Sequence, residues 1–158
     1  MEKVIKLIAY SIWRAFGGSC SERDESMPQP VFTGDMDIYQ LSSILIDKFP
    51  DIPIYLPDMK YKVTTIQQLR RFLDWDDTDK QKYIAEYMDC DDFAYRLKGQ
   101  VSIYPWSAIP FGIVWTDLHA LNCFVDDTGK FWFVEPQNSK IQSELESWQG
   151  TELRFIAL

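Results

Sequence analysis

"HALNCFVDDTGKFWFVEPQ", residues 119–137, decides how this chain is read. Two runs of aromatic and branched residues flank Asp126-Asp127-Thr128-Gly129, the pattern of an antiparallel hairpin. Gly129 suits the left-handed position of a type I turn followed by a bulge, which makes a three-residue loop. With Asp126 opposite Lys130, Leu121 falls opposite Glu135 and His119 opposite Gln137. His119, Leu121, Cys123, Phe131, Phe133 and Glu135 then share one face, with His119 and Glu135 as diagonal neighbours. A four-residue loop would set Glu135 opposite Ala120 and turn it away, so the pairing depends on one residue of register.

Working outward, the chain changes character at Gly99. Beyond it, aromatic and β-branched runs alternate with turn residues such as Pro105, Pro110 and Gly112. Before it the periodicity is helical. Ile38, Leu41, Ile44 and Leu45 predict a helix from about Asp37 to Lys48, and Thr64 or Thr65 caps another through Leu73. A further helix is expected over Asp79–Met88, and the next starts at Asp89 or Cys90. The expected class is α+β, helices first and an antiparallel sheet after. Residues 1–36 read as an N-terminal helix, with Val4, Ile5, Ile8, Ile12 and Trp13 at helical spacing, followed by a Gly/Ser/Pro-rich linker. Residues 37–158 read as one domain.

Composition narrows the function. The 158 residues carry a net charge of −8 and no basic patch, which argues against nucleic acid as a partner. Three cysteines, Cys20, Cys90 and Cys123, make neither an even disulfide framework nor a CxxC pair, so a reducing compartment is expected. The N-terminal stretch is interrupted by Lys3, Lys6 and Arg14, too charged for a membrane span or an export signal, and a cytoplasmic location is expected. Oligomeric state has no signature in the sequence.

The chemistry concentrates at "YMDCDDFAYRL", residues 87–97. Phe93, Ala94 and Leu97 follow Cys90 at three, four and seven residues, so the thiol shares their inward stripe. In a first helical turn it sits beside unpaired N–H groups and the positive end of the helix dipole, both of which favour a thiolate. His119 is the only histidine. Cys90, His119 and Glu135 therefore form the candidate catalytic set of nucleophile, base and orienting acid. Asn122 and Gln137 are candidates to support it. Cys123 reads as core, and Cys20 is given no role.

"DCDDFAYRL", "HALNCFV" and "FVEPQNSKI", with "YLPDMKY" and "YIAEYMDC" upstream, resemble the papain-like cysteine-protease domain at the C-terminus of the fairy-ring mushroom agglutinin, and its stand-alone bacterial and phage relatives. The resemblance covers roughly residues 37–141. It implies a papain-like or transglutaminase-like core, a cysteine hydrolase acting on a peptide or other amide substrate, and dependence on divalent calcium or manganese. Asp89, Asp91 and Asp92 are the metal candidates, although acids in a first helical turn also complement the dipole with no metal present. "DWDDTD" (Asp74, Asp76, Asp77, Asp79) fails as an EF-hand because Ala85 stands where a glutamate is needed. The competing reading is a non-catalytic binding or structural module on the same scaffold, with exposed aromatics such as Trp106 and Trp115 touching the partner.

Overall fold

The computed structural model describes residues 26–158, so the expected helix over residues 3–15 lies outside the described residues. The first strand, β1 (Phe32–Asp37), leads directly into helix α1 (Ile38–Lys48). Asp37 marks the junction by a reciprocal cap: its carboxylate accepts the Gln40 N–H and its own N–H donates to Gln40 Oε1, each at 2.9 Å. Short strand β2 (Ile54–Tyr55) and strand β3 (Lys60–Thr64) follow, then helix α2 (Ile66–Trp75), capped by the Thr65 hydroxyl. Helix α3 (Cys90–Val101) precedes the remaining strands, β4 (Phe111–Thr116), β5 (Ala120–Val125), β6 (Phe131–Glu135), β7 (Lys140–Gln142) and β8 (Leu153–Ala157).

Six strands make one sheet in the order β2-β8-β4-β5-β6-β7, and β1 pairs with β3 in a separate antiparallel ribbon. Side chains alternate across the large sheet and build two cores. Val114, Leu121, Cys123, Phe131, Phe133 and Ile156 meet Leu41 and Leu45 of α1 and Met36, Tyr61 and Val63 of the ribbon. On the other face, Phe111, Phe124, Val134 and Ile141 meet Leu69, Phe72 and Leu73 of α2 and Leu97 and Val101 of α3. Among the described residues no helix is long and apolar enough to cross a membrane.

The helices-first α+β arrangement on a papain-like or transglutaminase-like plan is not what folds. Strands β1, β2 and β3 all precede α3, and the sheet is mixed because β2 runs parallel to β8. Residues 32–36, read as linker, and Asp37, read as the helix start, form β1: their Gly and Asp content suits an exposed ribbon, where Asp35 pairs with Lys62 at 2.5 Å. Residues 79–88 are not a helix. A 3-10 turn covers Thr78–Lys80, and Ile84 then closes on Met88, with Glu86 at φ +65°. Tyr83, Ile84 and Tyr87 are exposed, so that segment has no apolar stripe to bury. Trp106 belongs to the core rather than the surface, being fully buried 4.8 Å from the Phe72 ring.

Gly112 is required by the closeness of β4 to the end of β8. A Cβ there would lie 2.7 Å from Leu158 Cα and against the Ala157 carbonyl, both backbone atoms. Gly112→Ala is expected to cost about 1–3 kcal/mol, the usual penalty of overpacking. Gly34→Ala, whose Cβ meets only Val63 Cγ2 at 3.5 Å, should stay within about 0.5 kcal/mol of the parent. Thermal unfolding followed by circular dichroism compares the two.

Candidate functional site

The β5–β6 register is the one that joins His119 to Glu135. Asn122 pairs with Val134, Cys123 with Phe133, Phe124 with Trp132 and Val125 with Phe131, and Gly129 adopts φ +80°. A tight turn between β4 and β5 holds His119: its N–H donates to Thr116 Oγ1 at 2.8 Å, and its carbonyl accepts the Thr116 N–H at 2.8 Å. The imidazole Nε2 then lies 2.8 Å from Glu135 Oε2. With Nε2–H donating to the carboxylate, Nδ1 is the nitrogen left with a lone pair. The Trp148 ring stands edge-on to the imidazole at 5.0 Å.

Glu135 is completely buried, and its oxygens are well supplied. Oε2 also accepts from Gln149 Nε2 at 2.7 Å, and Oε1 accepts the Gln137 N–H at 3.2 Å. Gln149 is in turn fixed through its Oε1, which accepts from Gln142 Nε2 at 2.5 Å and from the Glu146 N–H at 2.9 Å. Sequence reasoning missed Gln149. Its only local mark is Glu146 three residues earlier, a capping-box spacing around the 3-10 turn Ser147–Gln149. Of the two expected supporting residues, Gln137 contributes its backbone N–H. Asn122 stands apart: on the α3 face of the sheet, its Nδ2 donates to Ala94 and Gly112 carbonyls at 3.0 and 3.1 Å, stitching α3 to β4.

Cys90 is the first residue of α3 and is half-buried against Ala94, Ile113, Ala120 and Trp115. Its sulfur accepts the N–H of Ala120, the residue that follows His119, which places the thiol at the start of β5. Burial pushes the thiol pKa up. The Ala120 N–H opposes this, while the charges of Asp89 and Asp91 add to it. The net effect is a thiol pKa above its ordinary value, despite the helix dipole.

The acidic residues around it have separate tasks. Asp92 Oδ2 accepts the Asp89 N–H at 3.2 Å, and Asp89 Oδ2 accepts the Glu86 N–H at 3.2 Å, tying the preceding turn to the helix start. Asp89 and Asp91 share a side-chain hydrogen bond that lowers the first and raises the second. Asp89, Cys90 and Asp91 bring one ligand atom each within 4.8 Å of one another, and Asp92 lies outside that group. Two carboxylates and a thiol fall short of the six to eight oxygens that calcium takes, so these residues alone do not form its cage.

No family model and no curated protein matches this chain. Solved structures share its fold, two of them from the same lectin. One is a complex of E64 with PSL1a, the lectin of Polyporus squamosus, at TM-score 0.66 and 22% identity over 78% of this chain and 50% of that one. The other is the Polyporus squamosus lectin bound to the human-type influenza-binding epitope Neu5Aca2-6Galb1-4GlcNAc, at TM-score 0.62 and 22% identity over 78% and 49%. The chain thus spans about half the length of these neighbours, and at this identity the likeness speaks for the fold. It corrects the expected assignment. A papain-like cysteine-protease domain, a hydrolase with a peptide or amide substrate, finds no matching family model, and the structures of like fold are those of a lectin.

The buried carboxylate yields a direct test. Glu135→Ala strands the imidazole and the Gln149 amide together and is expected to cost about 3–5 kcal/mol. Gln149→Ala removes one donor of several and should cost about 1–3 kcal/mol. Urea unfolding of the two variants should preserve that order.

Proposed function

We propose that this chain is a binding module whose ligand is read at the head of the β5–β6 hairpin. The observation that carries this reading is the Trp148 indole, 50% exposed, set edge-on to His119 above a buried and fully bonded carboxylate. An aromatic surface beside fixed hydrogen-bonding groups suits a saccharide, whose C–H face packs on the ring while its hydroxyls meet the polar groups. The upward shift of the Cys90 thiol, caused first by its burial, counts towards binding, since a nucleophilic thiol needs its anion. The lectin likeness nominates the probe. A net charge of −8 repels a sialic acid carboxylate, so the neutral part of such a glycan is the part that fits.

Titration calorimetry with Galβ1-4GlcNAc, and with the same disaccharide carrying sialic acid, tests this. The neutral sugar should bind at least as tightly as the sialylated one, and Trp148→Ala should weaken it about tenfold or more. If neither sugar gives heat, or if Trp148→Ala binds as the parent does, the glycan reading fails.

A second reading is carried by a different observation, the Cys90 sulfur held by the Ala120 N–H one residue along the chain from His119, whose Nε2 is bonded to Glu135. There Cys90 is a nucleophile, His119 its base and Glu135 the acid that orients the base. Alkylation separates the two readings. For a binding module, Cys90 should react with iodoacetamide more slowly than free cysteine at neutral pH. Its rate should then rise only as pH passes the ordinary thiol range, since its pKa is shifted upward. A rate at neutral pH faster than free cysteine, lost in His119→Ala, would install the second reading in its place.

A further inference from the structure

A pair of hollows opens on the α1 face of the sheet, one on each side of a single ion pair. One, of about 440 Å³, is lined by Phe49, Phe133, Leu145 and Leu153, with Ser147 and Thr151 beside them. The other, of about 400 Å³, runs between Ile44 and Phe131. Lys48 and Glu144 line both. Cavities of this size are those of small-molecule sites.

The dividing pair is poorly made for stability. Lys48 Nζ stands 3.8 Å from Glu144 Oε1, beyond ordinary hydrogen-bond length, and the Glu144 side chain is 82% exposed. Neither residue has a second ionic partner among the described residues. A pair this long and this wet contributes little to the fold. What it does supply is two opposite charges side by side at the edge of an apolar hollow. Lys48 is the last residue of α1, and its Nζ lies 5.4 Å from the centre of the Phe49 ring, so the cation stands over the aromatic part of the lining.

A ligand that answers both charges carries an ammonium and a carboxylate on one carbon. With the ammonium on Glu144 and the carboxylate on Lys48, four charges alternate around a ring with sides of about 3–4 Å. Either charge alone is turned away. An amine without a carboxylate leaves Lys48 as a like-charged neighbour, and a carboxylate without an amine faces Glu144 and, in the second hollow, Asp47. The substituent on the same carbon then enters between Phe49, Phe133, Leu145 and Leu153, a lining that fits a branched or aromatic hydrocarbon. We propose that this cleft binds a free apolar α-amino acid, of the leucine or phenylalanine kind, with Lys48 and Glu144 reading its two charges. The site uses neither His119 nor Trp148, so its test is independent of the glycan reading.

That test is a titration of the isotope-labelled full chain with L-leucine, followed by amide NMR. The amides of Leu145, Ser147 and Thr151 should shift and saturate at millimolar ligand or below. Isocaproate and isopentylamine keep the hydrocarbon and one charge each, and should bind about tenfold or more weakly. Glu144→Gln, at a position too exposed to disturb the fold, should weaken L-leucine by about tenfold or more, and Lys48→Met should do the same. Lys62→Met, which breaks an ion pair on the β1–β3 ribbon, should leave the affinity unchanged. The absence of a saturable shift with L-leucine overturns the proposal. So does equal binding of either single-charge analogue, unchanged affinity in the Glu144 and Lys48 variants, or an equal loss in Lys62→Met.

Discussion

Asp126 closes the β5–β6 hairpin, and the geometry of the site follows from that closure. Its Oδ1 accepts the N–H groups of Thr128 and Lys130 at 2.9 and 3.0 Å and the Thr128 hydroxyl at 2.6 Å, while Oδ2 accepts from Trp132 Nε1 at 2.8 Å. Burial would raise this carboxyl, but the bonds from Thr128, Trp132 and Lys130 hold it below its ordinary value. The ionised form is thus the one that organises the loop. Gly129 supplies the left-handed residue that lets the chain return after three positions. A loop one residue longer would invert β6, bringing Phe131, Phe133 and Glu135 out of the α1 core and putting Trp132 and Val134 in their place.

The cost of that register is a carboxylate in the core. Glu135 is removed from water entirely, and a bare charge there would be prohibitive. The fold surrounds it with one imidazole, one amide and one backbone N–H, and then secures the amide through Gln142 and the Glu146 N–H. The network therefore couples three separate pieces of chain: the β4–β5 turn, β6, and the 3-10 turn before β8. Thr116 reinforces the coupling, since its hydroxyl donates to the Gln149 carbonyl at 2.6 Å while accepting the His119 N–H. A site assembled this way is rigid for the same reason that it is stable.

What was legible in the sequence is what depends on near neighbours. The hairpin register follows from where one glycine stands, the start of α1 from the apolar stripe that begins at Ile38, and the start of α3 from the acids around Cys90. The pieces that escaped depend on distant partners. β2 is two residues long and exists because β8, a hundred residues on, runs beside it. β1 looks like linker because half of its side chains face solvent, and the ribbon partner that makes it a strand lies beyond α1. Trp106 reads as a surface aromatic until Pro28 arrives to accept its N–H. Gln149 joins Glu135 across fourteen residues of turn and strand, a distance at which no local pattern points from one to the other.

Cys90 shows how far a residue's position can mislead about its state. A thiol in the first turn of a helix, with a backbone N–H aimed at its sulfur, has two of the usual sources of thiolate stabilisation. Against them stand burial on the Ala94–Ile113–Ala120 cluster and the negative charges of Asp89 and Asp91, and burial is the largest effect. Those acids cannot be dismissed as errors of placement. Asp92 caps the helix, Asp89 ties down the strained turn at Glu86, and Asp91 shares a hydrogen bond with Asp89. The helix start is built to be stable with acids on it, and their charges add to the burial that raises the thiol pKa.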